Sequence, residues 1–217
     1  YKVCAEVNAV NVQQVLLTPA FDLDLDAIPN TFDATTKVIF LCSPNNPTGN
    51  LLSREKIVEV LKRFYGLVVI DEAYIDFTKS KSFITELKKY PNLVVLQTFS
   101  KAWGLAGLRL GMCFASKEVI SILNKIKYPY NISARTQELA MDALENEYRK
   151  DIWVDEILKE KDLLARQLDA LNVVDSVFPS DANFLLVRVK DTQSVYQYLT
   201  DNRIIVRDRS KVNLCYN

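Results

Sequence analysis

The stretch Thr98-Phe-Ser-Lys-Ala-Trp-Gly-Leu-Ala-Gly-Leu-Arg-Leu-Gly111 sets a lysine and an arginine inside a run that is otherwise small or apolar. Apolar neighbours predict that Lys101 is partly withdrawn from water, which favours a neutral, nucleophilic amine over a solvated ammonium. Arg109 keeps its charge in any surroundings, so it needs an anion. The run follows a β-rich segment, Leu93 to Thr98, and leads into another, Arg109 to Ala115. Two cations therefore sit at one connection between predicted strands.

Outward from this connection, short β-rich runs alternate with amphipathic stretches of helical length. Val12 to Leu17, Lys37 to Cys42 and Leu67 to Asp71 also read as strands, and the last two have few polar positions, as strands buried on both faces do. Ser53 to Phe64 reads as a helix, with Ser53 as its N-cap and Ile57, Val60, Leu61 and Phe64 on one face. Lys117 begins another. This alternation predicts an α/β fold, a mostly parallel sheet sandwiched by helices.

Past the interruption at Tyr128-Pro-Tyr-Asn-Ile-Ser133, one long helix is predicted from about Ala134 to Leu171, with strands at Phe184 to Val189 and Ile204 to Val206 and a helix at Ser194 to Leu199 between them. The expected organisation is part of a large domain over 1–133, a connecting helix over 134–170 and part of a smaller C-terminal α/β domain over 171–217. Both ends read as cut within an element, so the chain is expected to be part of a longer polypeptide.

Composition narrows the chemistry. With 27 basic and 27 acidic residues the formal net charge is zero, which gives no reason to expect a nucleic acid or an anionic membrane as partner. Small molecules are the expected partners. Cys4, Cys42, Cys113 and Cys215 stand far apart in apolar runs, without metal-ligand or redox spacing, and predict reduced, buried thiols in a cytoplasmic protein. No apolar stretch has the length of a membrane helix. Histidine is absent, which excludes imidazole-based triads, histidine-ligated zinc and histidine acid/base pairs; no metal site is expected.

Four features fall at predicted strand ends, where open α/β sheets bind ligands: Ser43-Pro-Asn-Asn-Pro-Thr-Gly49, Asp71-Glu-Ala-Tyr-Ile-Asp-Phe77, Ser100-Lys101 and Arg109. Taken singly they are an ordinary turn, a cap or surface carboxylate, and two surface cations. In this order they meet the needs of one cofactor, pyridoxal phosphate, which requires a lysine amine, an anion at the pyridinium nitrogen, and cationic and hydroxyl groups for its phosphate. Lys101, Asp71, and Arg109 with Thr98 and Ser100 fit those requirements.

Asn45-Asn-Pro-Thr-Gly49, Asp71-Glu-Ala-Tyr74 and Ser100-Lys-Ala-Trp-Gly-Leu-Ala-Gly-Leu-Arg-Leu-Gly111 resemble the blocks of fold-type I aminotransferases of the aspartate aminotransferase superfamily. Asp71-Glu-Ala-Tyr-Ile-Asp-Phe77, Ala106-Gly-Leu-Arg-Leu-Gly111, Ser180-Asp-Ala-Asn-Phe184 and Ile204-Ile-Val-Arg207 resemble the histidinol-phosphate aminotransferase subfamily most. The resemblance spans the whole chain and implies that Lys101 carries the cofactor as a Schiff base and Asp71 pairs with the pyridinium nitrogen. It further implies that Asn46 and Tyr74 bind the phenolic oxygen, that Ala73 packs on the ring, that Thr98, Ser100 and Arg109 hold the phosphate, and that Arg207 meets a substrate phosphate. Amino-acid and keto-acid substrates, and a homodimer with shared sites, are implied in the same way. The phosphate-binding loop and an aromatic residue stacking on the ring are expected before Tyr1, with Tyr1 closing that aromatic block, and an arginine for the substrate carboxylate is expected beyond Asn217. A threonine-phosphate decarboxylase, an aromatic or aspartate-type aminotransferase, and a non-catalytic homologue are the rival readings.

Overall fold

The computed structural model describes residues 1–28 and 33–215. Its frame is a four-stranded sheet in the order β1 (Val38–Cys42), β2 (Leu67–Asp71), β3 (Leu93–Thr98), β4 (Gly111–Ala115). The first three strands are parallel and β4 runs antiparallel to β3. A mostly parallel α/β sheet is thus present, closed by one reversed strand.

The register divides the sheet into two faces. Ile39 and Leu41, Val68 and Ile70, and Leu93 and Val95 occupy equivalent rows and enter the main core with Leu52 and Phe83. Between β1 and β2, helix α2 (Arg54–Arg63) adds Ile57, Val60 and Leu61 to that core. Ser53 caps it as expected, its hydroxyl accepting from the Lys56 amide. Ile57 is fully buried, worth about 1.5–3 kcal/mol relative to an exposed side chain. The other face carries Phe40, Val69, Asp71, Val94 and Thr98. Val69 and Val94 are buried there, while Phe40 at the edge is 46% exposed.

Two expected strands are absent and one expected helix is broken. Residues 12–17 form no strand; Val15 and Leu17 pack against the main core as irregular chain, so their apolar spacing serves burial without a ladder. Residues 204–206 form no strand either, and Ile204, Ile205 and Val206 are exposed. The helix expected over 134–170 is two, α4 (Ala134–Glu145) and α5 (Glu147–Asp169), because Asn146 leaves helical geometry and turns its amide back onto the Asp142 carbonyl, 2.8 Å away. Before them, α1 (Lys2–Val7) opens the chain and α3 (Lys117–Ile126) follows β4.

The C-terminal part holds a two-stranded antiparallel sheet, β5 (Val174–Val177) with β6 (Val187–Val189), followed by α6 (Thr192–Asp201). The strand expected from Phe184 is confined to β6. Helix α5 lies against β5 and sends Val154 and Leu158 into a cluster with Tyr74, Ala102, Ala182 and Phe184. That cluster ties the C-terminal part to the ends of β2 and β3. The four cysteines are free, and only Cys215 is buried; Cys4 lies on exposed α1 and Cys113 on the open face of β4. Among the described residues no helix is long and apolar enough to cross a membrane.

Candidate active site

The site begins where β2 ends. Asp71 is its last residue and shares a sheet row with Cys42 on β1 and Leu96 on β3. Alternation along strands then puts Asp71 and Thr98 on the same face at the same end. Asp71 Oδ1 accepts from the Ala73 amide at 3.0 Å, and Oδ2 accepts from the Tyr1 hydroxyl. The Tyr1 ring stacks on Phe40, centroids 4.1 Å apart. Partial burial, followed by the bond to the Asp71 carboxylate, raises the Tyr1 phenol well above its ordinary pKa. Burial and the same carboxylate push the Cys42 thiol up to about 11. Asp71 is therefore the negative pole of this end of the sheet.

Tyr74, three residues on, is buried and directs its hydroxyl at the turn after β1. Asn46 Nδ2 donates to Tyr74 Oη at 3.1 Å. The turn is held by the Asn45 amide on the Asn50 carbonyl (2.8 Å), the Gly49 amide on the Asn45 carbonyl (2.7 Å) and the Asn45 side chain on Thr48 Oγ1 (2.8 Å). Gly49 has φ +82°, a left-handed conformation that glycine adopts without steric cost.

Lys101 follows β3 in a turn closed by the Gly104 amide on its carbonyl (3.0 Å). Its Nζ lies 5.3 Å from the centroid of the Tyr74 ring. The withdrawal from water expected from its sequence neighbours is not found: Ala102 and Phe99 turn inward and are buried, whereas Lys101 turns outward and is exposed. Thr98 Oγ1 accepts from the Ser100 amide at 3.0 Å. Arg109 does not begin the next strand. It ends a short 3-10 turn at φ +52°, a left-handed conformation that is uncommon and strained outside glycine. Its Nη1 donates to the Ala106 carbonyl at 3.0 Å and the residue is exposed.

Asn46, Tyr74 and Lys101 are thus joined by direct contacts, Asp71 and Ala73 by the turn they share, and Thr98, Ser100 and Arg109 by the β3–β4 connection. Arg207 lies exposed in irregular chain, and among the described residues no hydrogen bond or ion pair links it to this group.

Sequence reasoning passed over Glu72. It is 2% exposed, and its carboxylate accepts from the Phe83 amide (2.7 Å), Ser82 Oγ (2.5 Å) and Gln97 Nε2 (2.9 Å). Strand alternation turns it to the face opposite Asp71, where Gln97 also lies. A glutamine in the otherwise apolar Leu93–Thr98 run was the available signal.

The donor set, a primary amine beside a carboxylate, an amide–phenol pair, two hydroxyls and a guanidinium, fits an aldehyde-bearing, phosphorylated heteroaromatic cofactor. Comparison with known proteins agrees with that chemistry, as the model of aminotransferase class I and II matches residues 1–215. The chain belongs to this aminotransferase family. It is similar to the histidinol-phosphate aminotransferase of Cytophaga hutchinsonii, 56% identical over 99% of this chain and 62% of the relative. Among solved structures it resembles the histidinol-phosphate aminotransferase of Clostridium acetobutylicum (TM-score 0.90, 26% identity, 98% of this chain and 66% of that one). It also shares the fold of the Sinorhizobium meliloti histidinol-phosphate aminotransferase solved with pyridoxal 5'-phosphate (TM-score 0.88, 22% identity, 99% and 60%). The chain spans about 62% of the length of the curated relatives it matches. The fold is that of the fold-type I aminotransferases.

Proposed function

We propose that this chain carries the cofactor-binding centre of a pyridoxal-phosphate-dependent aminotransferase. The whole protein would interconvert L-histidinol phosphate and 2-oxoglutarate with imidazole-acetol phosphate and L-glutamate. The observation that carries the reading is the grouping of Asp71, the Asn46–Tyr74 pair and Lys101 at neighbouring strand ends. Similarity to the Cytophaga hutchinsonii relative supports the choice of substrate.

When bound, the cofactor supplies a conjugated, electron-withdrawing ring bearing an aldehyde. Asp71 would hold the ring nitrogen by ion pairing, a role that needs Oδ2 released from Tyr1. Asn46 and Tyr74 would hold the phenolic oxygen, and Ala73 would lie against the ring. Thr98, Ser100 and Arg109 would hold the phosphate. Lys101 Nζ would take the aldehyde in covalent linkage with loss of water and, when free, would move a proton at the substrate Cα, an intramolecular step that would need no bimolecular encounter. Arg207 would meet a substrate phosphate once residues 204–209 fold towards the site.

By the same reading, residues 1–133 belong to the large domain, α4 and α5 connect it onward, and 171–217 belong to the small one. A homodimer and a cytoplasmic location complete the proposal. In the full-length protein, Lys101→Ala should shift the visible absorbance of bound pyridoxal phosphate to that of the free aldehyde and abolish its covalent fixation by borohydride; an unshifted band with fixation retained would remove Lys101 from its role. Titration of the wild-type holoenzyme with L-histidinol phosphate should bleach that band and yield a keto product. Release of carbon dioxide from threonine phosphate would select the decarboxylase instead.

A further inference from the structure

The motif Ser180-Asp-Ala-Asn-Phe184 stands outside the chemistry proposed above, yet it touches the site from two sides. The Asp181 amide donates to the Gly49 carbonyl at 2.8 Å, and Asp181 Oδ2 accepts from the Leu51 amide, also at 2.8 Å. These bonds clamp the turn that carries Asn46. On the other side Phe184 meets the Tyr74 ring edge-on, centroids 5.1 Å apart, and Ala182 is fully buried in the same cluster. Ser180 folds the segment on itself, its hydroxyl donating to the Phe184 carbonyl at 2.6 Å and accepting from the Ala182 amide at 3.1 Å. Both halves of the Asn46–Tyr74 pair therefore rest on one segment.

That segment is anchored from behind by a lysine. Lys161, on α5, donates from Nζ to the Ser180 carbonyl at 2.6 Å and to the Ala182 carbonyl at 2.9 Å. Its ammonium is half-buried and satisfies two carbonyls that flank Asp181, so the strap is fixed at both of its hydrogen-bonding ends. Gly49 fits the same arrangement, since a Cβ there would fall 2.9 Å from Ser180 Cβ and closer still to its Oγ. The turn and the strap are packed backbone to side chain with no room for a larger residue.

We infer that Lys161 and Asp181 are positioning residues that act through the 180–184 strap to hold the Asn46 turn against Tyr74, coupling helix α5 to the atoms that bind the cofactor's phenolic oxygen. This rests on the cofactor reading above. Donors to a phenolate oxygen stabilise its negative charge and so lower the proton affinity of a neighbouring lysine–cofactor linkage; a loosened pair should raise it.

The test uses the full-length holoenzyme with pyridoxal phosphate and the variants Lys161→Met, Lys161→Arg and Asp181→Ala. Two quantities are measured: the pH midpoint of the visible band, and hydrogen exchange of the Leu51 amide in the cofactor-free protein. Met and Ala variants should both raise the midpoint by about half a unit to one unit and speed Leu51 exchange roughly tenfold. Arginine at 161 should restore most of both. A through-space charge effect would act differently, because removing a cation raises the midpoint while removing an anion lowers it. Opposite shifts in the two variants would therefore overturn the inference. So would an unchanged midpoint accompanied by lower thermal stability, since the strap would then be a brace for the fold alone. Absence of any visible band in the wild type would overturn the cofactor reading, and the inference with it. Leu51 exchange would then still report whether the strap exists.

Discussion

Replacing Glu72 by alanine is the sharpest test of how the site's supports are built. The carboxylate is 2% exposed and receives three hydrogen bonds, one from the Phe83 amide and two from the side chains of Ser82 and Gln97. Alanine removes the common acceptor and strands these donors where water has little access. A hydrogen bond to a charged group contributes about 1.5–3 kcal/mol, and each buried donor left alone costs about 1–3 kcal/mol. Ser82 can turn its hydroxyl elsewhere, so the expected loss is roughly 3–5 kcal/mol rather than the full sum. At about 2–4 °C per kcal/mol for a domain of 150–250 residues, the transition of the domain that carries Glu72 should fall by roughly 6–20 °C. Glu72→Gln should cost only about 1 kcal/mol. Its amide oxygen can still accept from Phe83, the Ser82 hydroxyl can accept from its new NH₂ group, and the Gln97 amide can turn over to present oxygen. Differential scanning fluorimetry of the two full-length variants, with and without pyridoxal phosphate, provides the comparison. A Glu72→Ala protein that melts within about 3 °C of wild type, or no lower than the Gln variant, would refute the reasoning, because the three contacts would then carry no stability.

Gly49→Ala forces a side chain into a left-handed backbone and against Ser180, so it should cost about 1–3 kcal/mol, read as a lowered melting temperature. Cys42 should resist iodoacetamide until the pH approaches its raised value of about 11; ready labelling of Cys42 at neutral pH, read by mass spectrometry, would contradict that raised value. Since the Cys42 value lies above the ordinary thiol value of 9.0, its contribution to stability should be complete below pH 9 and lost as pH rises towards 11, measurable as a falling denaturation midpoint in that window.

How far the sequence could be read depended on burial. Leu67–Asp71 and Leu93–Thr98 appear with the expected bounds because strands covered on both faces are nearly all apolar, and runs this short and rich in valine favour a strand over a buried helix. Ile204 to Val206 has the same β-branched composition, but it is exposed and belongs to neither sheet. Strand formation needs a neighbour, and composition does not report one. The break at Asn146 was visible only as one asparagine in a charged helical stretch, a residue that interiors tolerate and caps prefer. Val174–Val177 was overlooked because Asp175 and Ser176 mask its apolar positions. At the site, residue types and order were legible, whereas the outward turn of Lys101 was not. Sequence neighbours say what flanks a side chain along the chain, and the turn decides what surrounds it in space.

The reversal of β4 has a consequence for how the site is made. Thr98 is paired with Gly111 across the ladder, and the Phe99 amide reaches the Leu110 carbonyl at 3.2 Å. The chain between them is a closed excursion that leaves and re-enters the sheet at one point. Lys101 stands on its outgoing limb and Arg109 on its return. Zipping that one antiparallel pair during folding, a local closure with little entropic cost, delivers the amine and the guanidinium together. An insertion in this loop would part them without touching a single strand.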